Sequence, residues 1–260
     1  MDIRSLGIFP LVLLLFVTPV SSGEDPDTEN DMPPAISSGS GSFFVENLGQ
    51  WNDEILFMSS FGDSHIALGD RSILIDIPED NYDGIKRGRV VRYDLLGADS
   101  VKPAGLDRIH GSFNYFPGRD PSGWVSGARA YRQVVYEEVY GGIDMVCYFS
   151  AEGFKYEFHL SPGSDPLDIG FHISGIEDLK TYDGGIRMEV PKMGPIYDGG
   201  LCAFYSDDKG ELEVRTRMMG DRSFGYDIEN PEPGKDYIID PLIYSTYLGG
   251  SENDQSHGLE

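Results

Sequence analysis

The sequence predicts an all-β fold, mostly antiparallel and sandwich-like, on three observations. Between residues 43 and 239, short runs rich in β-branched and aromatic residues are punctuated by Gly, Pro, Asn and Asp, the composition of strands joined by turns. In Glu211-Leu212-Glu213-Val214-Arg215, charged and apolar residues alternate with period two, which sets one face in water and the other on a core. No window of about a dozen residues carries a 3.6-residue apolar repeat, so an amphipathic helix has no stripe to bury.

Taken in order, the chain opens with Arg4 ahead of an apolar stretch from Leu6 to Val17, followed by Thr18-Pro19-Val20-Ser21-Ser22. A short positive start, an apolar run of about a dozen residues and a small-residue end are the parts of a secretory signal peptide, and the run is too short to span a bilayer. Residues 1–22 are therefore expected to be a leader, and the mature chain to be secreted, extracellular or held at the cell surface. Residues 23–42 are acidic and rich in Pro, Ser and Gly, too poor in apolar side chains to offset the entropy of ordering, and read as a linker. Asp25, Asp27, Glu29 and Asp31 alternate there, but the turning Gly and distal Glu of a calcium loop are not in place.

The β-rich domain, 43–240, has its clearest strand runs at residues 55–60, 72–77, 90–96, 130–136, 143–150, 154–160, 186–190, 211–216, 223–228 and 237–239. Asp183-Gly184-Gly185 lies ahead of the 186–190 run and supplies the positive φ of a tight hairpin. Asp207-Asp208-Lys209-Gly210 reads as a second hairpin turn. On residues 154–160, Lys155, Glu157 and His159 alternate with Tyr156, Phe158 and Leu160, one face polar and one apolar. Cys147 shares a face with Ile143, Met145 and Phe149. Export would permit a bridge to Cys202, worth ~4 kcal/mol by chain entropy, while two buried thiols satisfy the sequence equally well.

Composition excludes several classes. The 44 acidic against 20 basic residues give a formal charge of −24, with 40% hydrophobic residues and 2 Cys. Such a surface repels nucleic acid and anionic lipid, attracts divalent cations without specificity, and offers no framework of many disulfides or zinc-binding cysteines. His65, His110, His159, His172 and His257 show no metal-ligand spacing, and no phosphate loop is present.

A series of short blocks resembles a known family. Glu46-Asn47-Leu48-Gly49-Gln50, Asn114-Tyr115-Phe116-Pro117-Gly118, Val139-Tyr140-Gly141-Gly142-Ile143-Asp144, Phe154-Lys155-Tyr156-Glu157-Phe158, Pro162-Gly163-Ser164-Asp165-Pro166 and Ile239-Asp240-Pro241 occur in this order. Together they resemble the N-terminal domain of unknown function that precedes SBBP-type β-propeller repeats in secreted archaeal and bacterial surface proteins. Tyr244-Ser245-Thr246-Tyr247-Leu248-Gly249-Gly250-Ser251 is similar to the opening of the first such repeat. The resemblance implies that residues 241–260 are a truncated first repeat, a partial β-propeller blade, since a whole blade takes roughly 40 to 45 residues. The chain departs from the family pattern after Pro195, where a Tyr-Gln element is missing. The glycines and prolines of these blocks read as turn and strand-end positions.

Two catalytic readings compete with a structural one. Phe61-Gly62-Asp63-Ser64 resembles the nucleophile block of GDSL esterases, with Asp254 and His257 echoing that family's C-terminal pair; this would make Ser64 the nucleophile and His257 its base. That chemistry needs the serine to open a helix, and His65-Ile66-Ala67-Leu68-Gly69 reads as a strand and turn. Glu137, Glu138, Asp144 and Glu157 lie near Tyr136, Tyr140 and Tyr148, which suggests a carbohydrate-active site with paired carboxylates. The sequence as a whole favours a non-catalytic structural, adhesion or binding module, with no catalytic, cofactor or metal residue assigned. Its expected partner is a cell-envelope protein or polysaccharide.

Overall fold

The computed structural model describes residues 42–61, 64–79, 87–117, 120–150 and 153–244. The expected leader, almost all of the linker, and residues 245–260, with Asp254 and His257, lie outside them. Seventeen strands fill the described residues, with two single 3₁₀ turns and no α-helix. Among the described residues no helix is long and apolar enough to cross a membrane.

All pairings are antiparallel. Strands β1 (Phe44–Glu46), β2 (Phe57–Phe61), β3 (Ser64–Leu68), β4 (Ser72–Glu79) and β5 (Arg87–Leu95) form a meander, each bonded to the next. Strands β6 (Ala104–Tyr115), β7 (Val125–Tyr140), β8 (Ile143–Ser150) and β9 (Gly153–Leu160) form a second meander, and β1 joins the two by pairing with Tyr131 and Ala130 of β7. The chain then crosses to β10 (Gly170–Ser174), which bonds β5 on one edge and β16 (Ser223–Ile228) on the other.

The remaining strands bring the two ends of this wall together. The hairpin of β11 (Asp178–Tyr182) and β12 (Gly185–Val190) turns on Asp183 and Gly184, with φ of 46° and 77°, as the sequence predicts. β12 bonds the start of β13 (Gly194–Tyr205), and the last strand, β17 (Tyr237–Tyr244), lies between β13 and β9. Two further strands, β14 (Glu211–Leu212) and β15 (Val214–Gly220), run almost continuously. β14 bonds β13, and β15 bonds β16. The pairing thus traces a nearly closed barrel-like sheet around the main core. The sandwich-like expectation misses this because period-two alternation reports which face is buried and not how the strands close.

Side chains from both meanders and the closing strands share that core. Ile66, Ile75, Val91, Tyr93, Tyr136, Met145, Cys147, Tyr156, Phe158, Phe171, Met188, Phe224 and Ile239 are all fully buried there. At about 25 cal/mol per Å² of apolar surface, burying each of the larger ones contributes roughly 1.5–3 kcal/mol. Phe171 sits at the centre, with ring centroids 5.2 to 5.9 Å from Phe224, Tyr156, Tyr93 and Phe158. A small second cluster of Ile55, Met58, Ala67 and Leu74 lies apart from this core, and the β6–β7 ribbon departs further. It carries a separate small core of Val45, Phe113, Tyr115, Ala128 and Ala130, and among the described pairings β6 bonds β7 alone. Residues 241–244, expected to begin a propeller repeat, are the end of β17 in the barrel wall.

Candidate functional site

The sequence blocks prove to be stitches between strands. Asn47, just past β1, aims its Nδ2 at the carbonyls of Ile55, Asn52 and Trp51, at 2.6, 3.0 and 3.3 Å, while its Oδ1 accepts from the Gly49 and Trp51 N–H groups. Gln50 Nε2 donates back to Glu46 O at 2.7 Å, so this block closes the β1–β2 connection with amide side chains. The Asn114 Oδ1 accepts from Gly127 N at 3.0 Å across the β6–β7 ribbon. Asp144 Oδ1 accepts from Glu138 N at 2.7 Å, holding Glu138 at φ 50° in the β7 bulge. Asp165 caps the 3₁₀ turn Pro166–Asp168 by accepting from Leu167 N.

Of the residues of the two catalytic readings, the structure brings together Asp144 with Glu138, whose N–H it accepts, and Glu157 with Tyr148. Ser64 opens β3, is 1% exposed and leads into strand, so the strand–serine–helix turn of an esterase is not formed there. Tyr136 and Tyr140 point into the core, where they donate to the carbonyls of Gly69 and Gly170 at 2.7 and 3.2 Å. Glu137 and Glu138 are exposed beside the β7 bulge.

What the structure does assemble is a polar patch on the outer face of β8, β9, β17 and β13. The alternation seen in 154–160 puts Lys155, Glu157 and His159 there. Tyr148 donates to Glu157, whose other oxygen lies 3.0 Å from His159 Nε2. Lys155 Nζ donates to Asp240 at 2.6 Å, and the Cys202 thiol points to the Asp240 carbonyl at 3.7 Å. Burial pulls the Glu157 carboxyl up, but hydrogen bonds from His159 and Tyr148 and the charge of Lys155 outweigh it and leave it below the usual carboxylate range. Burial and the Asp240 carboxylate push the Cys202 thiol up, which keeps it protonated and weakly nucleophilic.

Cys147 and Cys202 are both free. They stand on opposite faces of the wall, Cys147 in the core and Cys202 outside, so a bridge would need the backbone to move. Next to Cys202 an open groove of about 500 Å³ runs along β13 and β14, lined by Phe204, Lys209, Glu211 and Leu212 among others. Lys209, at φ 59°, makes the expected hairpin turn and lays its ammonium 4.4 Å from the Phe204 ring. Among the described residues no group of three or more His, Cys, Asp or Glu side chains could hold a metal ion.

A second exposed feature is the end of the β6–β7 ribbon. Phe116 and Trp124 are 43% and 45% exposed there, with ring centroids 5.2 Å apart edge-to-face. Behind them Trp51 meets Tyr115 and Phe43 meets Phe113, so the exposed pair stands on a packed base. Sequence reasoning missed it because Phe116 and Trp124 lie in connecting segments on either side of a turn, and only their pairing in space makes a feature.

Among the described residues, fold and surface define a nearly closed, barrel-like antiparallel sheet without α-helix, with two outward-facing polar or aromatic patches. The family model of a domain of unknown function, DUF7948, matches residues 44–242, and the chain belongs to that family. The matched stretch begins with β1 and ends inside β17. Searches among curated proteins and among solved structures gave no match.

Proposed function

We propose that this chain is a secreted or cell-envelope β-barrel-like module with a non-catalytic structural, adhesion or binding role, placed ahead of propeller-type repeats. The observation that carries the reading is where the reactive groups go. Tyr136, Tyr140, Asn47, Asp144 and Asp165 are engaged in bonds that hold strands, connections and turns, while Phe116 and Trp124 form an exposed aromatic pair. Paired rings on a rigid base suit contact with a polysaccharide or an envelope protein, because they offer apolar area at little entropic cost. The leader-like segment and the ordered blocks support the placement outside the cell and before repeats. The last residues, 245–260, would then begin the first repeat.

Purified mature protein should leave a panel of esters and glycosides unhydrolysed and should be retained on cell-envelope polysaccharide or protein, with retention lost in the Phe116→Ala/Trp124→Ala double variant. Turnover of any panel member that disappears on Ser64→Ala or Glu157→Gln would overturn the reading in favour of a hydrolase. Retention of the chain inside the cell with its leader attached would overturn the location.

A further inference from the structure

Inside the barrel the core is interrupted by one carboxyl. Asp198, on β13, is 3% exposed and accepts from the Tyr156 hydroxyl on β9 at 2.6 Å, which in turn lies 2.7 Å from the Tyr226 hydroxyl on β16. Tyr93 on β5 is the third titratable side chain facing this group; its own hydroxyl donates to Met188 Sδ on β12 at 3.3 Å. The electrostatic environment of Asp198 contains burial and the Tyr156 hydrogen bond, and no Lys, Arg or His among the described residues. Ionised, this carboxyl would be a buried charge held by a relay of hydroxyls alone, which is costly without a cation.

Its position in the wall matters as much as its burial. Asp198 is the last β13 residue bonded to β12, through Ile186. Beyond it the β13–β17 register shifts between Gly199 and Cys202, and the edge that β12 leaves is taken up by β14 only at Ala203. The β11–β12 hairpin sits tightly on this point: a Cβ on Gly185 would lie 2.2 Å from the Asp198 carbonyl oxygen. Among the described pairings the hairpin bonds the barrel ladder through residues 194–198, a bond from Thr216 Oγ1 to Gly184 O, 2.7 Å, ties its turn to β15, and Leu179, Ile186, Met188 and Val190 pack into the main core.

We propose that Asp198 is a proton-operated latch: the neutral carboxyl, bonded to the Tyr156 hydroxyl that Tyr226 in turn holds, keeps the β11–β12 hairpin closed on the barrel, and loss of the proton releases it. Charge in the interior is relieved by admitting water, and the hairpin ends on Asp198 itself, in the last of the five residue pairs that bond it to β13. Opening it would bare the edge of β13 and the apolar side chains of Ile186 and Met188.

Burial pushes the Asp198 carboxyl up from 3.8 to about 7. Between those values the closed state holds a proton that the open state has lost, so closure weakens as pH rises and levels off above about 7. The experiment is amide hydrogen exchange on the full mature chain at pH 5.5 and 8.5, corrected for intrinsic exchange. Protection of residues 178–198 should fall about thirtyfold between the two, as a midpoint near 7 requires, while β8 and β9 change far less. Asp198→Asn should remove the difference. Equal protection at both pH values, or the same fall in Asp198→Asn, overturns the latch. Should that variant not fold, the carboxyl carbon of Asp198 in isotope-labelled wild-type protein decides: a midpoint near neutrality upholds the proposal, and one near 4 overturns it.

Discussion

At the scale of single residues, Asn47 shows how much structure one amide can organise. Its side chain contacts three carbonyls and two N–H groups around the β1–β2 connection. Each such bond is worth about 1 kcal/mol net, with a further penalty where a carbonyl is left without a partner. Asn47→Ala should therefore lower stability by about 2–3 kcal/mol in urea unfolding, at constant m-value, while Leu48→Ala, at a 52% exposed position, should stay within about 0.5 kcal/mol. Glu157 carries a pH signature. Its carboxyl is held below 4.5 in the folded chain, so the folded state releases that proton more readily than the unfolded one. The resulting stabilisation is complete above about pH 4.5 and fades as pH falls through the lower folded value. Glu157→Gln should cost about 1–2 kcal/mol at pH 7 and progressively less in acid, measured by thermal melts across that range.

At the scale of elements, the strands that the sequence revealed are those with one wet and one dry face or, like β4, a continuous apolar run buried on both faces. β9, β12 and β16 show the alternation directly, and Gly184 announces the turn before β12. β6 was not legible, since it is largely exposed along its length and supplies no apolar rhythm. Tyr131 compensates by laying its ring where a side chain on Gly105 would be; a Cβ there would lie 2.3 Å from the ring. β13 was hidden by Pro195 and by Gly199-Gly200, which read as breakers; here Pro195 pairs with Glu189 and the glycines mark a bulge. The candidate patches were half visible: the polar side of β9 follows from alternation, but its partners Tyr148, Asp240 and Cys202 come from three other strands whose register the sequence does not disclose. The ribbon yields its own expectation. Because Phe116 and Trp124 rest outside the small core beneath them, replacing both with Ala should leave the melting temperature nearly unchanged and remove retention on envelope material. A large drop in melting temperature would show instead that the pair is structural.

At the scale of the whole molecule, charge and closure act against each other. The chain carries −24, and the ion pairs along its outer faces, such as Arg215 with Glu213 and Glu229 or Lys235 with Asp208, are exposed and individually worth little. Self-repulsion is thus the larger surface effect, and it is screened by salt. Raising NaCl from about 0.02 to 0.5 M, which shortens the screening length well below 10 Å, should raise the melting temperature; a fall would show that the ion pairs outweigh repulsion. The class of fold was readable from composition and alternation. Its closure was not, because it depends on β15 and β14 choosing different neighbours at a single residue, Glu213.

The location of β17 has a mechanical meaning. It is bonded along both edges, to β9 and to β13, and the chain continues from it at residue 245. Traction arriving from that side meets two ladders in the middle of the wall at the same moment, rather than peeling a strand from a rim. A strand held in this manner would pass tension from its C-terminal side into the interior of the wall and resist being unravelled from that end.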